Sequence, residues 1–316
     1  MARPKIKFIS FASEGFEAPM QRLLESARRH GADEVRGWTR ADLRQLDIYP
    51  ANRAILDAPR GAGYWAWKPI IILEELRAMS SGDVLIYNDG GRAARGYEVD
   101  RPLHEVVDWV VNERSGMLPG IFVPQWGPNE QWTKGECFVA MGCDTPAIRR
   151  HPQVQATFSV WQAHDRSRAF VQQWLDWCLN PQTVADERVD PSIPDAPTFA
   201  DHRHDQSILT NLVLRQGMRL FGDPRETVVG PYRDSLIQKD IGTLADRIAG
   251  RTWSIRRRLA REQFGQRDFG NAANGALVKL ERAVWYLRAL DRARRAYPGK
   301  SGMPAPVSTV PREKLA

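Results

Sequence analysis

Cysteine is scarce in this 316-residue sequence: there are three, Cys137, Cys143 and Cys178, and no two are spaced as a CxxC pair. Three thiols close no disulfide framework, so the fold must rest on an apolar core, and a reducing cytoplasm is the expected setting. Long apolar runs are missing too. The run at 69–73 is closed by Glu74 and Glu75, far short of the roughly 20 residues that span a bilayer. The opening residues, MARPKIK, carry no apolar stretch of the kind that directs secretion. No internal repeat is present. With 42% hydrophobic and 26% charged residues, the chain has enough apolar material to fold without staples, which excludes wholesale disorder and a collagen-like fibre.

Charge is unevenly spread. Residues 241–316 hold 16 Lys/Arg against 6 Asp/Glu, a net of +10, so residues 1–240 carry −3 of the overall +7. We therefore expect a domain over residues 1–240, a basic helical extension over 241–300 and a flexible tail over 301–316. In the extension Arg247, Arg251, Arg256, Arg257, Arg258 and Arg261 recur with Ile248, Trp253, Ile255 and Leu259 between them. On a helix the aliphatic residues share a face, the pattern of a segment lying on an anionic membrane surface. A helix that packs its apolar face on the domain reads the same way. Contact with nucleic acid through this segment is a rival reading, but it leaves the motifs below without a role.

Along residues 1–240 strand-like and helix-like stretches alternate, which argues for an α/β domain with a largely parallel sheet. Strands are expected at 5–12, 84–87, 120–124, 137–141, 156–163 and 218–221. Helices are expected at 17–30, 39–46, 70–79 (amphipathic), 102–112, 146–151, 167–179 and 205–216, with a long Pro- and Asp-rich loop at 180–198.

Three constellations carry chemistry. The first is GAGYWAWKP at 61–69. Its glycines permit close backbone approach, Trp65 and Trp67 offer flat faces, and Lys68 is a point charge suited to phosphate. In an extended stretch the two tryptophans project to one side; a hydrophobic plug at a helix start uses the same residues. The second is the apolar strand 84–87 running into Asn88, Asp89, Gly90 and Gly91. Ligands of open α/β sheets bind beyond the carboxyl ends of strands, where Asp89 stands with the chemistry to hold a divalent cation. An ordinary turn draws on the same residue types. The third is DHRHDQS at 201–207, which opens a helix with His202, Arg203, His204 and Asp205. Zinc is poorly served there, since one residue separates the histidines and the cysteines lie elsewhere. The cysteines themselves read as small packed hydrophobes.

Taken in order, FASEGF, RGAGYWAWKPIIILEEL, GDVLIYNDGG and HRHDQSILTNL resemble a family of bacterial glycosyltransferases that build capsule, O-antigen and related surface polysaccharides. The resemblance covers roughly residues 5–225. It implies a GT-A-like, Rossmann-like nucleotide-sugar domain with a mixed, mostly parallel sheet. It also implies transfer of a sugar from a nucleotide diphosphate to a hydroxyl of a saccharide or lipid-linked acceptor. Together with the basic extension, this predicts a cytoplasmic enzyme with an option to sit at the inner face of the cytoplasmic membrane, and no nucleic acid partner is expected. By this resemblance Asp89 matches the first acid of a DxD motif that holds Mn²⁺ or Mg²⁺, while Gly91 stands where the second acid belongs. Asp205 and Gln206 resemble an Asp-Gln pair at the reacting sugar. Phe11, Ala12, Ser13, Gly63, Lys68, Asn88, Asp89 and Gly91 are the implied donor residues. Trp65, Trp67, His202, Arg203 and His204 are the implied acceptor residues. A metal-dependent phosphohydrolase built on Asp89, His202, His204 and Asp205 is a further rival, though such enzymes carry more acids than this. Loss of Lys68, Asp89 or Asp205 is expected to cost activity rather than the fold.

Overall fold

The computed structural model describes residues 3–218 apart from 93–94, 97, 100–101, 114–115 and 123–126. The basic segment 241–300, the tail and all but the first residue of the strand expected at 218–221 lie outside the described residues.

β1 (Ile6–Ala12) is apolar at most positions, as a strand covered on both faces must be. α1 (Glu17–Arg29) buries Met20, Leu23, Leu24 and Ala27, one stripe at helical spacing. β2 (Glu34–Thr39) ends at Thr39, which caps α2 (Arg40–Arg44) through a reciprocal hydrogen-bonded box with Asp42. The short turns α3 (Ile48–Ala51), α4 (Arg53–Leu56) and α5 (Gly61–Tyr64) lead into α6 (Trp67–Ala78) and then β3 (Val84–Asn88). β4 (Gly91–Arg92) and β5 (Arg95–Gly96) form a ribbon, followed by α7 (Leu103–Glu113), β6 (Met117–Leu118) and β7 (Ile121–Phe122). After α8 (Gly135–Ala140) and α9 (Pro146–Arg150), β8 (Val154–Gln155) pairs with β7. β9 (Phe158–Gln162), α10 (Asp165–Cys178), α11 (Pro181–Val184) and α12 (His204–Arg215) complete the described chain.

The main sheet has five strands in the order β2-β1-β3-β9-β6. β1 is parallel to β2 and β3, while β9 runs antiparallel to β3 and β6. The sheet is thus mixed and mostly parallel, consistent with a Rossmann-like fold. Its register aligns Arg36, Ile9, Tyr87 and Ser159 across four strands. Alternation divides the core between the two faces. Ile6, Phe8, Val84 and Ile86 pack with α1 and α7, whereas Ile9, Phe11, Leu85 and Tyr87 pack with α6, α10 and α12. Because the chain leaves β1 toward β2 on one side and returns to β3 on the other, the strand order reverses between β1 and β3. A crevice opens at such a reversal, beyond the carboxyl ends of the strands.

Two expectations are corrected, and one strand is added to them. α6 is not amphipathic: it begins at Trp67 and is buried on nearly all sides, because it lies between the sheet and α10. Its Glu75 is neutralised by Lys7 at 2.6 Å and Arg36 at 3.0 Å. Residues 137–141 are helical rather than extended, since this short apolar run packs into the α11 and α12 layer. β2 was not foreseen; it is an edge strand of polar alternation in which only Trp38 is buried.

Candidate active site

Lys68 is the second residue of α6, and the path into that helix is unusual. Five consecutive residues have positive φ: Gly61 at 59°, Ala62 at 54°, Gly63 at 104°, Tyr64 at 52° and Trp65 at 57°. For residues bearing a Cβ this conformation costs roughly 1–2 kcal/mol each, so tertiary contacts must hold it. Tyr64 stacks on His204 with ring centres 5.0 Å apart, and Trp65 lies 5.5 Å from the same ring. The Tyr64 hydroxyl donates to Glu187 at 3.0 Å. Gly63 is required by space as well as by φ, since a Cβ there would stand 2.8 Å from the Leu56 carbonyl oxygen. The side-by-side tryptophans expected of an extended stretch are therefore corrected. Trp65 is left-handed against His204, while Trp67 is buried, stacks on Phe11 at 3.9 Å and donates to the Gly61 carbonyl. The Phe11–Trp67 pair locks the end of β1 to the start of α6.

This arrangement drives the Lys68 ammonium in among acids. Its Nζ stands 3.0 Å from Asp205 Oδ2 and 3.6 Å from Asp89 Oδ1, with the Lys68 and Asp205 side chains only 4% and 5% exposed. Asp89, just past β3, is 28% exposed. Tyr87, within β3, donates its hydroxyl to Asp89 Oδ1. The Lys68 ammonium also lies 5.6 Å from the Trp67 ring centre and 5.5 Å from that of Tyr87. Burial pushes the Asp205 carboxyl up to about 6, against the pull of Lys68. Burial presses the Lys68 pKa down, yet Asp205 and Asp89 outweigh it and the net shift is upward. Burial and the neighbouring Asp89 hold the Tyr87 phenol well above its usual range, which keeps it a donor. Asp205 Oδ2 is buried and meets the Lys68 ammonium at ion-pair distance. At the other end of Asp205, Trp174 Nε1 donates to the backbone carbonyl at 3.0 Å, and His204 before it is left-handed at φ 46°.

The remaining expected residues lie either at the carboxyl edge of the sheet or in the scaffold. Ala12 closes β1 and Ser13 follows it, partly exposed, at the carboxyl edge of the sheet. Asn88 is buried and donates to the Asp89 carbonyl at 3.0 Å, and Gly91 begins β4 with φ 76°. His202 is buried with both ring nitrogens used, Nε2 toward Thr183 O at 2.8 Å and Nδ1 accepting from the Lys134 amide at 3.3 Å. His204 turns Nδ1 to Val184 O at 2.7 Å. Both imidazole pKa values are held down by burial. Gln206 points into an internal network, donating to Gln153 Oε1 at 2.6 Å and accepting from the Ala156 amide at 3.4 Å. Arg203 stacks over Trp132 at 4.6 Å. The three thiols are buried, and burial raises the pKa of each, that of Cys143 to about 11. Lys68, Asp89 and Asp205 are thus brought together, whereas His202 and Gln206 support the frame around them. Tyr87 escaped the sequence reading because it looks like any strand core residue; its place two positions before Asp89 was the available signal.

The described residues do not fit a divalent cation. Among them no three His, Cys, Asp or Glu side chains stand close enough to hold one. Two residues after Asp89 stands Gly91, and Asp89 Oδ1 meets the Tyr87 hydroxyl and the Lys68 ammonium.

No protein family model matches the chain, and no curated protein matches it. Among solved structures it is similar to the apo structure of the WbbM bifunctional glycosyltransferase, with a TM-score of 0.41 and 11% identity over 71% of this chain. The match spans 39% of that protein's chain. Among the described residues no helix is long and apolar enough to cross a membrane.

Proposed function

We propose that the chain is a glycosyltransferase that moves a sugar from a nucleotide diphosphate to a hydroxyl of a saccharide or lipid-linked acceptor in surface polysaccharide synthesis. The observation that carries this reading is the Asp89–Lys68–Asp205 cluster, with Lys68 and Asp205 buried, at the point where strand order reverses. The ordered motifs that resemble such enzymes support it.

In this reading the barrier lies in departure of the nucleotide from an oxocarbenium-like centre, so fixed charges beside that centre are the chain's main contribution. Asp205 supplies a fixed carboxylate that faces the positive charge developing on the ring. Lys68 holds that carboxylate in place, and Tyr87 does the same for Asp89. The basic segment 241–300 brings the enzyme to an anionic membrane surface where lipid-linked acceptors reside.

The test is incubation with a panel of nucleotide sugars and lipid-linked or saccharide acceptors, followed by mass analysis of products. A product one sugar heavier, lost in Asp89→Asn, is expected. Release of free sugar or phosphate with no acceptor product would point instead to a hydrolase.

A further inference from the structure

We infer that Lys68 is a fixed cation standing between Asp89 and Asp205 where a divalent ion would otherwise bind them, so that these two acids hold no metal of their own. The inference rests on the donor-site reading above and adds to it what stands between the acids.

Four observations converge on it. The ammonium is tethered through the first turn of α6, and its side chain is 4% exposed, so it is a built part of the site rather than a surface charge. It lies within 3.6 Å of a carboxylate oxygen from each acid, a bridging position. The lone pairs of Asp89 Oδ1 are claimed by Tyr87 and Lys68 together. Gly91, finally, removes the second acid that a metal-holding strand end would supply. A hard divalent ion seeks about six oxygen ligands. This cleft offers two acids already bridged by a positive charge that cannot diffuse away. The cost of that design is visible in the strained left-handed turn that aims Lys68, which His204 holds by stacking. A cation that arrives from solution needs no such device, but a covalently held one must be aimed.

The experiment uses the full wild-type chain with UDP and GDP as probes, titrated by calorimetry in EDTA and again in Mn²⁺. Mn²⁺ binding to the protein alone is followed by the free-ion electron paramagnetic resonance signal. We expect nucleotide affinity to change by no more than about twofold between the two conditions, and the free Mn²⁺ signal to be unaffected by wild-type protein. Lys68→Met, which leaves two acids facing each other, is expected to take up Mn²⁺, whereas Lys68→Arg is not. Nucleotide binding that appears only with Mn²⁺, or weakens by more than about tenfold in EDTA, overturns the inference while leaving the transferase reading intact. Uptake of Mn²⁺ by wild type, or a folded Lys68→Met that takes up none, overturns it as well. Failure of either nucleotide to bind under both conditions overturns the donor-site reading itself, and this inference with it. If Lys68→Met does not fold, the wild-type titrations decide the matter alone.

Discussion

The Lys68 ammonium and the Asp205 carboxylate meet at 3.0 Å with both side chains almost closed to solvent, one at the start of α6 and the other at the start of α12. Removing one member of such a pair leaves a buried charge without its partner, which typically costs about 3–5 kcal/mol. The sequence alone suggested that these positions could be changed without harm to the fold; their burial says otherwise. Lys68→Met and Asp205→Asn should each lower unfolding free energy by several kcal/mol, while the double variant should lose clearly less than the sum. Urea unfolding of the four proteins measures this, and strict additivity would refute the coupling.

Asp89 is a different case, being 28% exposed and held by Tyr87. Asp89→Asn should leave the melting temperature within about 4 °C of wild type. Its expected kcat/KM loss is about 10²-fold or more, the scale seen when one preorganised electrostatic group is removed. Tyr87→Phe should fall between the two. Near-full turnover in Asp89→Asn would remove Asp89 from the site.

Three buried histidines set the acid limit. Burial lowers the pKa of His151 to about 4 and those of His202 and His204 below the usual imidazole value. Each stays neutral when folded and takes a proton when unfolded. Their contribution is therefore present above pH 6.5 and is lost as pH falls toward the folded values. Asp205 works in the opposite sense: its raised pKa favours the fold below pH 3.8 and withdraws that support as pH climbs through about 6. With three groups against one, stability should fall between pH 6.5 and 4. His151→Asn should flatten that decline, by on the order of 3 kcal/mol across the window if the full shift is expressed. A denaturation series with pH reads the slope directly, and an unchanged slope in the variant would exclude His151 as a cause.

The left-handed turn makes a paired prediction. Ala62→Gly relieves a Cβ-bearing residue at φ 54° and should stabilise the protein by up to about 1 kcal/mol. Gly63→Ala places a Cβ 2.8 Å from the Leu56 carbonyl at φ 104° and should destabilise it by more than about 1 kcal/mol. Equal effects of the two substitutions on thermal unfolding would contradict the geometry.

What could be read from the sequence follows what local pattern can encode. β1, β3, α1, α10 and α12 announce themselves because their apolar spacing matches the face they bury. β2 does not, since a half-exposed edge strand with Glu34 and Arg36 lacks that signal. α8 departs from the strand expected at 137–141 because a short apolar run fits either period, and the neighbouring helices decide. Lys68, Asp89 and Asp205 stood out as charges at the ends of apolar segments. Their meeting, however, depends on a left-handed turn that no local preference favours and that stacking on His204 sustains. His202 and Gln206 drew notice as polar residues in a dense motif, yet their side chains are used within the protein. A sequence does not show which polar groups face inward.

Thermal unfolding of the wild type and Asp89→Asn, against a panel of nucleotide diphosphate sugars each with and without Mn²⁺, decides whether the site beyond β1 and β3 holds a nucleotide-sugar donor. A ligand at a hundredfold excess over its Kd stabilises the fold by about 2.7 kcal/mol, or about 5–10 °C for a domain of this size. At least one nucleotide sugar should raise the wild-type melting temperature by that order in one of the two conditions, and Asp89→Asn should lose most of the shift. A flat panel, or an equal shift in Asp89→Asn, would exclude a donor at this site.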